Sequence, residues 1–252
     1  SDLRKAHAMS IGLSLVLVLS GQFPPPHVQD APEADAVVIH ETLDRLNGRV
    51  GNIRTANVDP DVLADIDVCA KSAEWIVRHR EFFEPAYVQW TKDALEVGDR
   101  RATAFVRGNV DWFPKEGSTV LGYRSRVDES VQPYAVTLPR GYDPASDRRW
   151  PLHVELHGRN QKLNEVSFLH QFEGKPLKDN VGWIQLDIFG RTNNAYRWAG
   201  EADVLEALEA VKRRTRVDER RITLRGFSMG GAGTWHLGLH YPSLWSSIGA
   251  GA

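Results

Sequence analysis

Gly226-Phe227-Ser228-Met229-Gly230-Gly231 is the stretch whose reading decides the fold of this chain. An apolar run, Ile222-Thr223-Leu224, precedes it, and a run of helical character, residues 232–241, follows. Glycine-x-serine-x-glycine between a strand and a helix is the pattern of a nucleophile elbow, a turn so sharp that only small residues fit beside the serine. Such a turn holds the serine Oγ above a sheet, at the positive end of a helix. A serine hydroxyl is a poor nucleophile alone. It needs a base, the base needs an orienting carboxylate, and two donors must face the developing oxyanion. One donor is expected to be the backbone N–H of Met229. The other is expected from the loop after the strand ending at residue 156, at Gly158 or Arg159, with His157 shaping that loop. The bland alternative is an ordinary turn serine and an ordinary strand end.

Working outward, residues after 117 alternate between strand-like and helix-like runs. Strands are expected over 119–127, 133–138, 151–156, 181–188, 221–225 and from 246 onward. Helices are expected over 164–172, 201–214 and 230–240. That alternation predicts an α/β fold with a mostly parallel sheet covered by helices on both faces. Ligand sites in such sheets lie beyond the carboxyl ends of the strands. His157, Asp187 and Ser228 all fall at or near such ends. Arg191, Asn193 and Tyr196 follow a strand on the same side, so with His157 they are candidates for the substrate cleft. Arg191 could instead pair with Glu201 or Asp203, acids that the helix dipole alone accounts for.

The base and the acid are missing. No Asp or Glu occurs from Met229 to Ala252, although the order in this fold is serine, then acid, then histidine. His236 and His240 lie on the helix leaving the elbow and are read as packing or surface residues. His153 lies inside a strand. The expectation is that the acid and the histidine come from chain beyond residue 252, and that the chain as given is inactive.

Before the α/β part, residues 36–110 read as a helical accessory region. Asp59-Pro60 is an N-cap followed by proline at the first helical position. Val62, Ile66, Cys69, Ala73 and Ile76 form one apolar stripe. A second helix opens at Pro85, with Gly98 as a possible break. Cys69, the one cysteine, is read as a small buried hydrophobe. Residues 22–35 read as a linker. Residues 1–21, with Arg4 and Lys5 ahead of an apolar run over 9–19, read as a secretory signal, which implies a secreted or periplasmic protein without a stable membrane anchor. The chain has 252 residues, 42% of them hydrophobic, and a net charge of −2. That balance gives no reason to expect a nucleic-acid or anionic-membrane partner. No phosphate-cradling loop and no metal-ligand spacing stands out, so no cofactor and no metal is expected.

At this point a resemblance becomes specific. Tyr123-Arg124-Ser125, Val131-Gln132-Pro133-Tyr134, His157-Gly158-Arg159, residues 190–195, residues 198–204 and the elbow itself occur in that order. Together they resemble the prolyl-oligopeptidase-like serine hydrolases, including a secreted bacterial esterase-like branch. The resemblance covers roughly residues 122–252. It implies an α/β-hydrolase fold over 118–252, Ser228 as nucleophile, and Met229 with the 157–159 loop as oxyanion hole. It also implies a small ester or peptide substrate, with ester favoured because no propeller-like run of short strands precedes the hydrolase part. The alternative is a pseudohydrolase or binding module that keeps the fold without the triad.

Overall fold

The computed structural model describes residues 26–177 and 181–252. The expected export signal, 1–21, lies outside the described residues, as do 22–25 of the expected linker. The rest of that linker is tied down. Gln29 bridges Glu81, its N–H donating to Arg80 O at 2.7 Å, and Glu33 already opens the first helix.

Among the described residues three helices come first: α1 (Glu33–Arg54), α2 (Pro60–His79) and α3 (Ala86–Val106). Asp59 caps α2 by accepting from Asp61 N, with Pro60 at its first position. Ile66, Cys69, Ala73 and Ile76 are buried along one stripe, while Val62 is only half-buried. α3 runs unbroken through Gly98, and the reason is packing. A methyl group there would meet Leu46 Cδ2 at 2.6 Å and Cys69 Cβ at 2.9 Å, so glycine lets the three helices close on one another. Burial pushes the Cys69 thiol up to about 12, which keeps it protonated and inert.

The sheet has six strands: β1 (Gly117–Arg124), β2 (Val131–Leu138), β3 (Trp150–Leu156), β4 (Ile184–Ile188), β5 (Val217–Phe227) and β6 (Ser247–Gly251), in the order β1-β2-β4-β3-β5-β6. β2 is antiparallel to both of its neighbours, and β3, β4, β5 and β6 run parallel. The remaining helices are α4 (Glu165–Phe172), α5 (Ala199–Arg214) and α6 (Met229–His240). Side chains alternate across the pleat. Leu121, Tyr134 and Val136 face one side, in a core shared with Val204, Leu208 and Val211 of α5 and Leu237 of α6. Val120 and Ala135 face the opposite side, covered by Ala64 and Val68 of α2, Val97 of α3 and Phe168 of α4. The result is an α/β architecture, a mostly parallel sheet between two helical layers. The first three helices belong to one of those layers.

Buried charge locks that layer to the sheet. Asp65 of α2 takes both guanidinium nitrogens of Arg214, at 2.8 and 2.7 Å, and also accepts from Trp112 Nε1 and Gly122 N. Arg101 of α3 pairs with Glu173 and donates to Val120 O. Several strand boundaries differ from expectation: β1 runs 117–124 where 119–127 was expected, and β2 opens at Val131. β4 starts at Ile184, and β5 begins at Val217 because Trp150 pairs there across a register shift. Among the described residues no helix is long and apolar enough to cross a membrane.

Candidate active site

Ser228 sits between β5 and α6, as the residue that caps the helix, with φ 55° and ψ −116°. An L-residue in that region stores about 1–3 kcal/mol of strain and persists only where its surroundings force it. The glycines around it supply the force. A methyl group on Gly230 would lie 1.9 Å from Leu156 O, and one on Gly226 2.7 Å from the same oxygen. Gly231 approaches β6 so closely that a methyl group would lie 2.0 Å from Gly251 O, while Ser228 N donates to that oxygen at 3.0 Å. Met229 is the first helical residue, and the first N–H groups of a helix have no intrahelical acceptor. Its side chain packs against the main core.

The loop after β3 runs alongside. Leu156 pairs with Gly226 in the parallel register, which brings Gly158 to the elbow. A methyl group at Gly158 would stand 3.7 Å from Ser228 Cβ and 3.3 Å from Phe227 O. Five hydrogen-bond contacts, made through His157, Tyr196 and Asn193, fix this loop from below. His157 directs Nδ1 at Gly158 O, 2.8 Å away, and Nε2 at Phe189 O, 2.9 Å away. Tyr196 OH donates to His157 O at 3.2 Å. Asn160 N donates to Asn193 Oδ1, and Asn193 Nδ2 donates back to Asn160 O, each at 2.9 Å. Both ring nitrogens of His157 thus face backbone carbonyl oxygens. Arg159 follows Gly158 in the same loop.

These contacts correct part of the cleft assignment. Tyr196 is fully buried and braces the loop instead of lining a cleft. Asn193 ties two loops together. Arg191 is held by Asp203 on α5, by Asp128 and by Ser125 Oγ, which answers the open question of its partner: Asp203 and not Glu201. Burial opposes the Arg191 charge, but its two carboxylates raise its pKa further above the usual range, and the guanidinium in turn holds Asp128 well below the carboxylate range. Arg191 and Asn193 do line a cavity of about 500 Å³, whose other walls include Lys71, Ser72, Gln132 and Glu165. Neither Ser228 nor Met229 lines it, so this cavity belongs to the seam between α2 and the sheet. The importance of Asn160 was missed in the sequence, and no local signal marks it, because its partner is 33 residues away.

Groups that could serve as base or acid are otherwise engaged. Asp187 is buried, and Gln185 Nε2 donates to both of its oxygens at 3.0 and 2.9 Å. Burial raises its pKa to about 7. His236 follows Ser228 by eight residues, about 12 Å along a helix at 1.5 Å per residue, and contacts Glu201. His153 stacks on Trp183, with ring centroids 4.2 Å apart. Among the described residues, no imidazole paired with a carboxylate is placed against Ser228.

No protein-family profile matches the chain, and no curated protein matches it in sequence. Solved structures do match. One is a thermostable esterase, at 20% identity over 52% of this chain and 40% of that one, with a TM-score of 0.38. Another is a ferulic acid esterase, at 21% identity over 53% and 58%, with a TM-score of 0.40. A third is a fluorophosphonate-binding serine hydrolase of Staphylococcus aureus, at 17% identity over 53% and 55%, with a TM-score of 0.40. The chain spans between 40% and 58% of the length of these three structures. Similarity at this distance assigns no activity to the chain.

Proposed function

We propose that the protein is a serine hydrolase that cleaves a carboxylic ester, or less readily a peptide bond, through an acyl-enzyme intermediate on Ser228. The observation that carries this reading is the backbone of Ser228, φ 55° and ψ −116°, at a strand–helix junction where Gly226 and Gly230 admit no side chain. A serine held in this conformation between a strand and a helix presents its hydroxyl outward from the turn, as a nucleophile elbow requires. In this reading Ser228 Oγ attacks the carbonyl carbon. The Met229 N–H and an N–H of the 158–159 segment bind the oxyanion, each contributing roughly 10²–10³ in rate. The acid and the base come from chain beyond Ala252. Support for that last point is the uncovered apolar surface beside β6. Trp235 is 58% and Leu239 70% exposed on α6, next to the exposed Ile248 of the edge strand, and such a surface is ordinarily covered. Ester is preferred because, among the described residues, three helices and no strand-built gate precede the sheet.

The second reading is a pseudohydrolase, favoured by the absence of an imidazole–carboxylate pair at Ser228 among the described residues. Turnover separates the two. The complete protein should hydrolyse short acyl esters faster than a proline-containing peptide, and Ser228→Ala should reduce turnover by at least about 10³-fold. Equal turnover by the wild type and Ser228→Ala would discard the proposal. Failure of the complete protein to turn over any ester or peptide would favour the pseudohydrolase.

A further inference from the structure

α6 ends with two histidines one helical turn apart, His236 and His240, on the side that meets the first turn of α5. Glu201 Oε2 lies 2.5 Å from His236 Nε2 and 3.8 Å from His240 Nδ1, and the three donor atoms all fall within 4.8 Å of one another. The second carboxylate oxygen, Oε1, accepts from Tyr241 OH at 2.6 Å, which leaves Oε2 for the two imidazoles. A simple tie between the helices needs only one imidazole. His240 stands too far from Oε2 for a hydrogen bond, yet it offers its Nδ1 to the same oxygen.

We propose that Glu201, His236 and His240 bind one divalent transition-metal ion, with Zn²⁺ as the best fit, clamping α5 to α6. Two imidazole nitrogens and one carboxylate oxygen suit zinc and its first-row neighbours, whereas Mg²⁺ and Ca²⁺ require mostly oxygen. Tetrahedral zinc with ligands near 2.1 Å separates its donors by about 3.4 Å. The closest pair here must open by about an ångström and the wider pairs must close, adjustments within reach of side-chain torsions. The open fourth position faces water, because the His240 side chain is 57% exposed. Tyr241 then plays the part of an outer-shell partner that orients the ligating carboxylate. The clamp would join the helix that Ser228 caps to the helix that follows Tyr196. It needs no hydrolase activity and stands independently of that proposal. His236 and His240 also stand at His-x-x-x-His on a helix, a ligand spacing that the expectation of no metal passed over. The carboxylate, 35 residues upstream of His236, is what the sequence alone leaves unconnected.

Titration of the untagged full chain with zinc chloride by calorimetry tests the proposal. The expected result is one Zn²⁺ per chain, with affinity weakened at least about tenfold in His240→Ala and in Glu201→Gln. Zinc should also raise the melting temperature by a few degrees, and magnesium chloride should not. In His236→Ala/His240→Ala both responses should vanish. His240→Asn, at a half-exposed position, serves if the double variant does not fold. Absence of zinc binding by the wild type, or unchanged binding and melting in the variants, overturns the proposal.

Discussion

Tyr196 donates its hydroxyl to the carbonyl oxygen of His157 at 3.2 Å, while its ring fills the space where Gly233 of α6 would otherwise carry a side chain, a methyl group there meeting Tyr196 Cδ2 at 2.6 Å. One buried side chain therefore sets the distance between the 157–159 loop and the elbow helix. Tyr196→Phe keeps the ring and removes the single hydrogen bond, a loss of about 1 kcal/mol. If the loop supplies an oxyanion donor, kcat should fall about five-fold with KM little changed. Steady-state kinetics on a small ester checks this, and an unaltered kcat would separate Tyr196 from catalysis.

Gly230 tests the strain at the elbow. Its missing side chain is the reason that Leu156 O and the start of α6 approach each other. Gly230→Ala should cost about 3 kcal/mol or more, because the atoms it meets are backbone and give way poorly. Thermal unfolding measures the loss. Gly48→Ala, where a methyl group meets nothing within 4 Å, should be neutral or slightly stabilising in its helix.

Asp187 predicts a pH dependence. Burial, with Glu155 adding to it, raises its pKa to about 7 against the donation from Gln185. The folded chain thus holds a proton that the unfolded chain releases near pH 4. The associated stability is present below about pH 4 and is lost as the pH rises through about 7. A displacement of that size corresponds to roughly 4 kcal/mol as an upper figure. Asp187→Asn should therefore be more stable than the wild type at about pH 8, and the difference should shrink steadily toward about pH 4. Denaturant unfolding at several pH values reads this directly. A difference that does not change with pH would contradict it.

Asp65 and Arg214 give a second stability test. Asp65→Ala leaves a largely buried guanidinium without its carboxylate and should cost up to about 3 kcal/mol. The double change Asp65→Leu/Arg214→Met removes both charges, and its cost should be well below the sum of the single changes. Additive costs would mean that the two residues act separately, against the bidentate geometry.

Much of the frame was legible because it is written locally. Proline after Asp59, the alternation of strand and helix, and glycines flanking Ser228 each state a backbone requirement within a few residues. What escaped the sequence depends on residues far apart in the chain. Asp65 meets Arg214 across 149 positions, and Asn160 meets Asn193 across 33. Tyr196 was placed on the correct loop, but its direction, inward beneath Gly233, is set by how two helices pack. β5 reaches back to Val217 because Trp150 pairs with it through an irregular register, which no alternation of side chains foretells. Gly98 misled in the opposite sense: a helix-weakening residue is kept because α3 must touch Leu46 and Cys69.

The central claim is that Ser228 is the nucleophile. The most direct measurement is to treat the complete, folded protein with a fluorophosphonate and map the adduct by peptide mass spectrometry. The account predicts one adduct, on Ser228, that is absent after prior denaturation and absent in Ser228→Ala. A folded protein that takes no adduct, or takes it on another serine while Ser228 stays unmodified, would contradict it.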